Sequence, residues 1–157
     1  MCIRDSYYTC DEDSNFQYVV CLNFKSGERK RYLGEVSWDV EAFELSPNGK
    51  TLAVIHNEGG ASKLRCVDAF TGKLSAQQAL LSDLPKGVVQ KIQWHRTDAD
   101  LVYDFEWALS PGEINTIKLG QKGKITWAVS DIGQLNLNRI SIPFPVSYTH
   151  LTLPTKA

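Results

Sequence analysis

"WDVEAFELSPNGKTLAVIHNEGGASKLRCVDAFTGKL", residues 38–74, decides the fold. Three of its stretches have strand character: "VEAFELS" (40–46), "KTLAVIH" (50–56) and "SKLRCVDA" (62–69). Alternation with a period of two sends successive side chains to opposite faces of a strand. Turn chemistry separates the stretches: "SPNG" (46–49), "NEGG" (57–60) and "FTG" (70–72). Pro47 presets φ at the second position of its turn, and Asn48 and Gly49 tolerate the left-handed backbone that follows. Gly72 closes a tight hairpin before a further strand. The unit therefore reads as four short antiparallel strands.

The same grammar extends to both sides. "YYTC" (7–10), "QYVVCLNF" (17–24) and "RKRYL" (29–33) precede the unit; "VVQKIQW" (88–94), "ADLVYDF" (99–105), "EINTIKL" (113–119) and "KITWAV" (124–129) follow it. All are short and rich in residues that suit a pleated sheet. "SAQQALLSDL" (75–84) has some helical propensity, but the repeat places a strand in its first half. "CVDAFTGK" at 66–73 resembles "CLNFKSGE" at 21–28, and "SPNGKTLAV" at 46–54 aligns with "HRTDADLVY" at 95–103. "FTGKL" at 70–74 aligns with "QKGKI" at 121–125, so Gly27 and Gly123 occupy the hairpin position of Gly72. Four strands recurring about every 45–51 residues are the mark of a β-propeller blade.

The expectation is an all-β chain: a partial β-propeller of about two and a half four-stranded antiparallel blades, with the ring not closed. An incomplete blade lacking its innermost strand spans 7–34. Full blades span 35–84 and 85–130, and 131–145 begins a linker. A lone sheet cannot bury both faces, so blades stack on neighbours. Two and a half blades should leave an apolar face bare at each end.

The two termini mirror each other at the level of DNA. "MCIRDS" (1–6) can be written ATG TGT ATA AGA GAC AG, whose reverse complement encodes "VSYTH" (146–150). The shared segment looks like the transposase end used in preparing sequencing libraries, and its continuation encodes "LTLPT" (151–155). Residues 1–6 and 146–157 are therefore read as translated adapter and set aside from the fold. His150 drops out of any catalytic argument with them. The native N-terminus is then expected to be absent, which leaves the compartment open, with the cytoplasm as the expectation.

Setting aside Arg4, Lys156 and Asp5 reduces 17 basic and 18 acidic residues to 15 and 17, a net charge of −2. Such a balance offers no basic face for nucleic acid. No apolar run approaches the length of a membrane span. Cys10, Cys21 and Cys66 have neither the C-x-x-C spacing of a zinc site nor the pattern of a disulfide framework, and read as small hydrophobes in strands. No cofactor or metal is expected.

Residues 38–74 resemble a propeller blade of prolyl oligopeptidase-family serine peptidases. Their pattern runs W-D-V-E-x-F-x-L-S-P-D-G-K-x-L-A-F, then N-E-x-G, then D-x-x-T-G. "YYTCDEDSNFQ" (7–17) resembles the opening of that family's preceding blade. "SPGEINTIKL" (110–119) resembles a strand of the following one, and "WAVSDIGQLN" (127–136) the segment between the last blade and the hydrolase domain. "HRTDAD" (95–100) departs from the S-P-D-G turn, and Gln134 stands where a second glycine is usual.

The resemblance implies a non-catalytic cap that gates access of peptides to an α/β-hydrolase domain. That domain and the remaining blades would come from the same polypeptide, with peptide as the parent's substrate. The alternative is a TolB-like or WD-type propeller that acts as a protein-binding scaffold. In the peptidases a serine on a G-x-S-x-G elbow does the chemistry. This chain has no such motif, and Ser37 in "GEVSW" (34–38) lacks the spacing. No catalytic residue is assigned, and the chain alone should be inactive. His56 and His95 read as ordinary surface or loop residues. Asp11, Glu12, Asp13 and Glu58 read as loop charges, solvated unless they meet the hydrolase domain or a substrate N-terminus. Trp38, Trp94, Trp107 and Trp127 read as packing residues of the core or of blade interfaces.

Overall fold

The computed structural model describes residues 5–75, 85–97, 100–121 and 123–142. It contains three antiparallel sheets, none closed on itself. Blade 1 holds β1 (Asp5–Cys10), β2 (Tyr18–Asn23) and β3 (Arg29–Tyr32) in that order. Blade 2 holds β4 (Val40–Leu45), β5 (Thr51–Glu58) and β6 (Ala61–Asp68). Blade 3 runs outward from β7 (Gly87–Val88) and β8 (Ile92–Trp94), both on β9 (Asp100–Trp107), to β10 (Ser110–Lys118) and β11 (Lys124–Val129). A short 3-10 turn spans Leu137–Arg139. No described helix is long and apolar enough to cross a membrane.

The period-two pattern sorts side chains onto opposite faces of each blade, and blade 2 shows how. Leu52, Val54 and Val67 pack towards blade 1, against Val19, Cys21, Tyr32 and Leu33. Ala53, Ile55, Leu64 and Cys66 pack towards blade 3, against Ile92, Leu101, Tyr103 and Phe105. We call the first kind of face leading and the second trailing. With a blade on either side, β5 buries Leu52 to Ile55 without interruption. Polar bonds cross the interfaces too. The Tyr32 hydroxyl donates to the Ala69 carbonyl, and Trp94 Nε1 donates to the Glu44 carbonyl at 3.0 Å.

Two departures from the sequence reading have physical causes. The innermost strand of blade 3, read as one run over 88–94, is split. Its middle turns away because Asp104 Oδ1 accepts the Gln90 and Lys91 amides at 2.8 and 2.6 Å, while the Val89 amide donates to Ser62 Oγ in blade 2 at 2.9 Å. β1 begins at Asp5, two residues into the stretch read as adapter. Strand pairing asks little of residue type, and Asp5 and Ser6 lie opposite Asn23 and Leu22. The fourth strand of blade 2 is entered by a bridge between Val67 and Leu74. The rest of it, with most of 75–84, lies outside the described residues, as does the tail 146–157.

Candidate functional site

The hairpin glycines sit in turns built by a neighbouring carboxylate or amide. Asn23 Oδ1 accepts the Lys25 and Ser26 amides at 2.9 and 3.0 Å, and the Gly27 amide closes on the Asn23 carbonyl at 2.8 Å. Asp68 repeats this: its Oδ1 accepts the Phe70 and Thr71 amides at 3.0 and 2.6 Å, and Gly72 closes on its carbonyl at 2.8 Å. The amide and hydroxyl of Thr71 draw the Asp68 carboxyl below its ordinary range. Gly27 and Gly72 have φ of 71° and 73°. Asn23 and Asp68, which build these turns, were not singled out in the sequence. The signal was there, since both stand four residues before the glycine. The third hairpin has Lys118 near that place and takes two left-handed glycines, Gly120 and Gly123.

The turn at 46–49 is knitted by side chains. The Gly49 amide donates to the Ser46 carbonyl at 2.8 Å, and Asn48 Oδ1 accepts the Lys50 amide at 2.9 Å. Pro47 precedes them, and Gly49 has φ of 72°. These residues shape the turn; they do not converge on a hollow.

The nucleophile candidates are not assembled. Ser37 lies exposed in the link between β3 and β4. Cys21 and Cys66 are buried, and burial pushes the Cys66 thiol up to about 12, which suits a packing residue. Among the described residues no cluster of His, Cys, Asp and Glu could hold a metal. Two of the acidic residues are spoken for: Glu12 pairs with Arg29, and Glu58 pairs with Arg65, both at 2.6 Å. Glu58 ends β5 and does not lie in a loop.

His56 corrects its sequence reading. It belongs to β5, which continues past "LAVI" to the Gly59–Gly60 turn, and it is 1% exposed. Nδ1 lies 3.4 Å from the Trp38 carbonyl, and buried Nε2 has no hydrogen-bond partner. Burial pulls its pKa down from 6.5, against the Trp38 carbonyl, and Arg65 adds to the fall while Glu58 and Glu35 oppose it. The unfolded chain therefore takes up a proton before the folded one. Stability is complete above pH 6.5 and declines as pH falls below it. We expect the urea midpoint to drop between pH 7.5 and pH 5.5, and His56→Gln to lose most of that drop. An equal drop in the variant would refute the assignment to His56.

The tryptophans divide. Trp94 is buried, and half-buried Trp107 donates to Glu113 Oε1 at 2.9 Å. Trp38 and Trp127 are 43% and 69% exposed, against the packing expectation. Trp127 donates to Thr116 Oγ1 at 2.8 Å and stands beside a hollow of about 600 Å³. Val102, Thr116, Lys118 and Ile125 also line it, so it lies on the trailing face of blade 3. Here the expected bare end of the stack is found. A second hollow of about 310 Å³ lies where Leu135, Leu137 and Ile140 approach Trp107 and Pro111. The leading face of blade 1 carries a third, about 190 Å³, between Tyr18, Val20, Arg29 and Arg31.

No protein-family profile and no curated protein matches the chain. Solved structures do. A prolyl endopeptidase superposes with a TM-score of 0.70 over 88% of this chain at 18% identity. Prolyl oligopeptidase B from Galerina marginata, bound to a 35-residue hydrolysis and macrocyclization substrate, gives 0.69 over 88% at 10% identity. TolB from Acinetobacter baumannii gives 0.59 over 78% at 14% identity. The chain spans 20% and 19% of the two prolyl peptidases and 29% of TolB. At these identities the likeness is one of fold, that of a partial propeller.

Proposed function

We propose that the chain is the non-catalytic, substrate-gating part of a peptide-hydrolysing serine peptidase, contributing two and a half blades of its cap. The observation that carries this reading is the superposition of 88% of the chain on about a fifth of a prolyl endopeptidase. The blade pattern at 38–74 and the segment at 127–136 support it. The remaining blades and an α/β-hydrolase domain would be supplied by the same polypeptide. The turn residues Pro47, Asn48, Gly49, Gly27, Gly72 and Gly123 serve the blades and not the chemistry. The likeness to TolB favours a second reading, a propeller that binds proteins without hydrolysis.

Two assays separate these readings. The chain alone should not release nitroaniline from peptide-nitroanilides; turnover by it would contradict a non-catalytic role. Joined to the coding sequence that follows residue 145 in its source genome, it should gain that activity, and replacing the serine of a G-x-S-x-G there should abolish it. A further blade or a stop codon at that place would support the scaffold.

A further inference from the structure

His56 lies beneath an ion pair. Val54, His56 and Glu58 of β5 share the leading face of blade 2 with Lys63 and Arg65 of β6. Arg65 stands opposite Val54 and Lys63 opposite His56, while Glu58 ends its strand opposite Ala61. The 2.6 Å contact of Arg65 Nη2 with Glu58 Oε1 therefore spans the position of His56. Neither the buried Nε2 of His56 nor the buried Nη1 of Arg65 has a hydrogen-bond partner. With its N–H directed at the Trp38 carbonyl, Nδ1 leaves the lone pair to Nε2. The neutral ring thus needs no acceptor at Nε2, whereas the imidazolium does. Other charged groups surround the site. Asp39 Oδ1, in the link between β3 and β4, holds the Gln17 amide at 2.8 Å, and Glu41 Oε1 on β4 holds Asn57 Nδ2 at 2.9 Å. Glu35 belongs to the same link, and Lys63 is exposed. From blade 1 the groups packed here are Tyr7, Cys21 and Tyr32, which burial keeps neutral by raising each pKa. Glu58 is the carboxylate on the strand and face of His56 itself.

We propose that His56 and the Arg65–Glu58 pair form an acid-operated strap: on protonation the imidazolium takes the Glu58 carboxylate through Nε2, Arg65 turns out to solvent, and the end of the β5–β6 hairpin parts from the link that carries Trp38. The proton comes from solvent, and no covalent bond between heavy atoms changes. An imidazolium beside a guanidinium places like charges together in a buried site, which is relieved when one of them leaves. The hairpin end can follow. It turns on Gly59 and Gly60, both left-handed with φ of 62° and 83°. The Asn57 amide ties it to the link through the Asp39 carbonyl at 3.2 Å. Burial and Arg65 both lower the pKa of His56, so the strap stays shut at neutral pH and opens below 6.5. The proposal rests on the packing of blades 1 and 2 and not on the peptidase reading.

Hydrogen exchange of the folded 157-residue chain at pH 7.5 and pH 5.5, corrected for the intrinsic effect of pH, tests this. Protection of the Asn57 and Gly60 amides should fall by up to about tenfold per pH unit below 6.5, the limit for uptake of one proton. Their exchange should not respond to low urea, the mark of local opening. Exchange there that rises with urea as steeply as in β2 and β9 is global unfolding and overturns the proposal. Equal protection at both pH values also overturns it. His56→Gln should lose the pH dependence, and its retention overturns the proposal. Arg65→Gln removes the like charge and frees Glu58, so the onset should move to higher pH. Glu58→Gln removes the acceptor, so the onset should move lower. An onset unmoved in either variant overturns the strap. If a variant fails to fold, NMR titration of the His56 ring in the wild type decides. Its midpoint should coincide with the onset of local exchange, and a midpoint elsewhere overturns the proposal.

Discussion

Phe105→Ala should cost about 3–5 kcal/mol, the range for emptying a large aromatic site in a packed core. Phe105 is wholly buried on the leading face of blade 3. Its ring meets Tyr103 edge-on at 6.4 Å and lies so close to Gly87 that a Cβ there would stand 2.6 Å from it. Backbone on one side and the trailing face of blade 2 on the other leave little room for the cavity to collapse. A loss on this scale is a large share of the roughly 5–15 kcal/mol that holds a domain folded. Stacked repeats couple through neighbour contacts, so the loss should fall first on the attachment of blade 3. Urea unfolding should show a much lower midpoint, with Trp94 fluorescence changing before the bulk strand signal. Phe70→Ala is the control: that ring is 74% exposed, and its removal should shift stability by less than about 0.5 kcal/mol. A variant within about 1 kcal/mol of wild type at position 105 would mean that blades 2 and 3 are not held by this core.

The strands were legible because each blade repeats the same alternation and the same turn residues, and both are local. "VEAFELS", "KTLAVIH" and "SKLRCVDA" fall on β4, β5 and β6 with small differences at their ends. What escaped was set by residues distant in sequence. Nothing in "VVQKIQW" announces a break, because the cause is the Asp104 carboxylate, 13 and 14 residues further on. His56 ends "KTLAVIH" and reads as an ordinary surface or loop residue, because "HNE" is polar. It is buried because β5 pairs with β6 as far as the glycine turn, Glu58 lying opposite Ala61. Trp127 carries an interface signature in sequence, yet it is exposed, because burial on a blade's outer face depends on a neighbour beyond blade 3. The sequence offered no catalytic constellation to place, and the described side chains assemble none.

Acidification below pH 4.5 should weaken the chain through Glu113, and Glu113→Gln should remove most of the loss in that range. Glu113 lies near the start of β10, between β9 and β11. Its Oε1 accepts Trp107 Nε1 at 2.9 Å, and its Oε2 accepts Asn115 Nδ2 at 3.2 Å and Lys124 Nζ at 2.6 Å. Burial works to raise its pKa, but these donors, Lys124 foremost, outweigh burial and hold the carboxyl at about 2, against 4.5 unperturbed. The folded state therefore resists protonation where the unfolded chain accepts it. The contribution is complete above pH 4.5 and is lost as pH falls towards 2. A depression of this size corresponds to about 3 kcal/mol at neutral pH. In Glu113→Gln the amide can accept from one donor but turns its own N–H groups towards Lys124 or Asn115. The variant should start about 2–3 kcal/mol less stable at pH 7, because charged donors lose their acceptor. Its stability should then change less with pH, the two curves converging as the wild-type carboxyl protonates. Denaturant melts at a series of pH values from 7 to about 2 measure both. Curves that stay parallel throughout would show that the acid response belongs to other carboxylates and that the Trp107–Glu113–Lys124 link does not fasten β9 and β11 to β10.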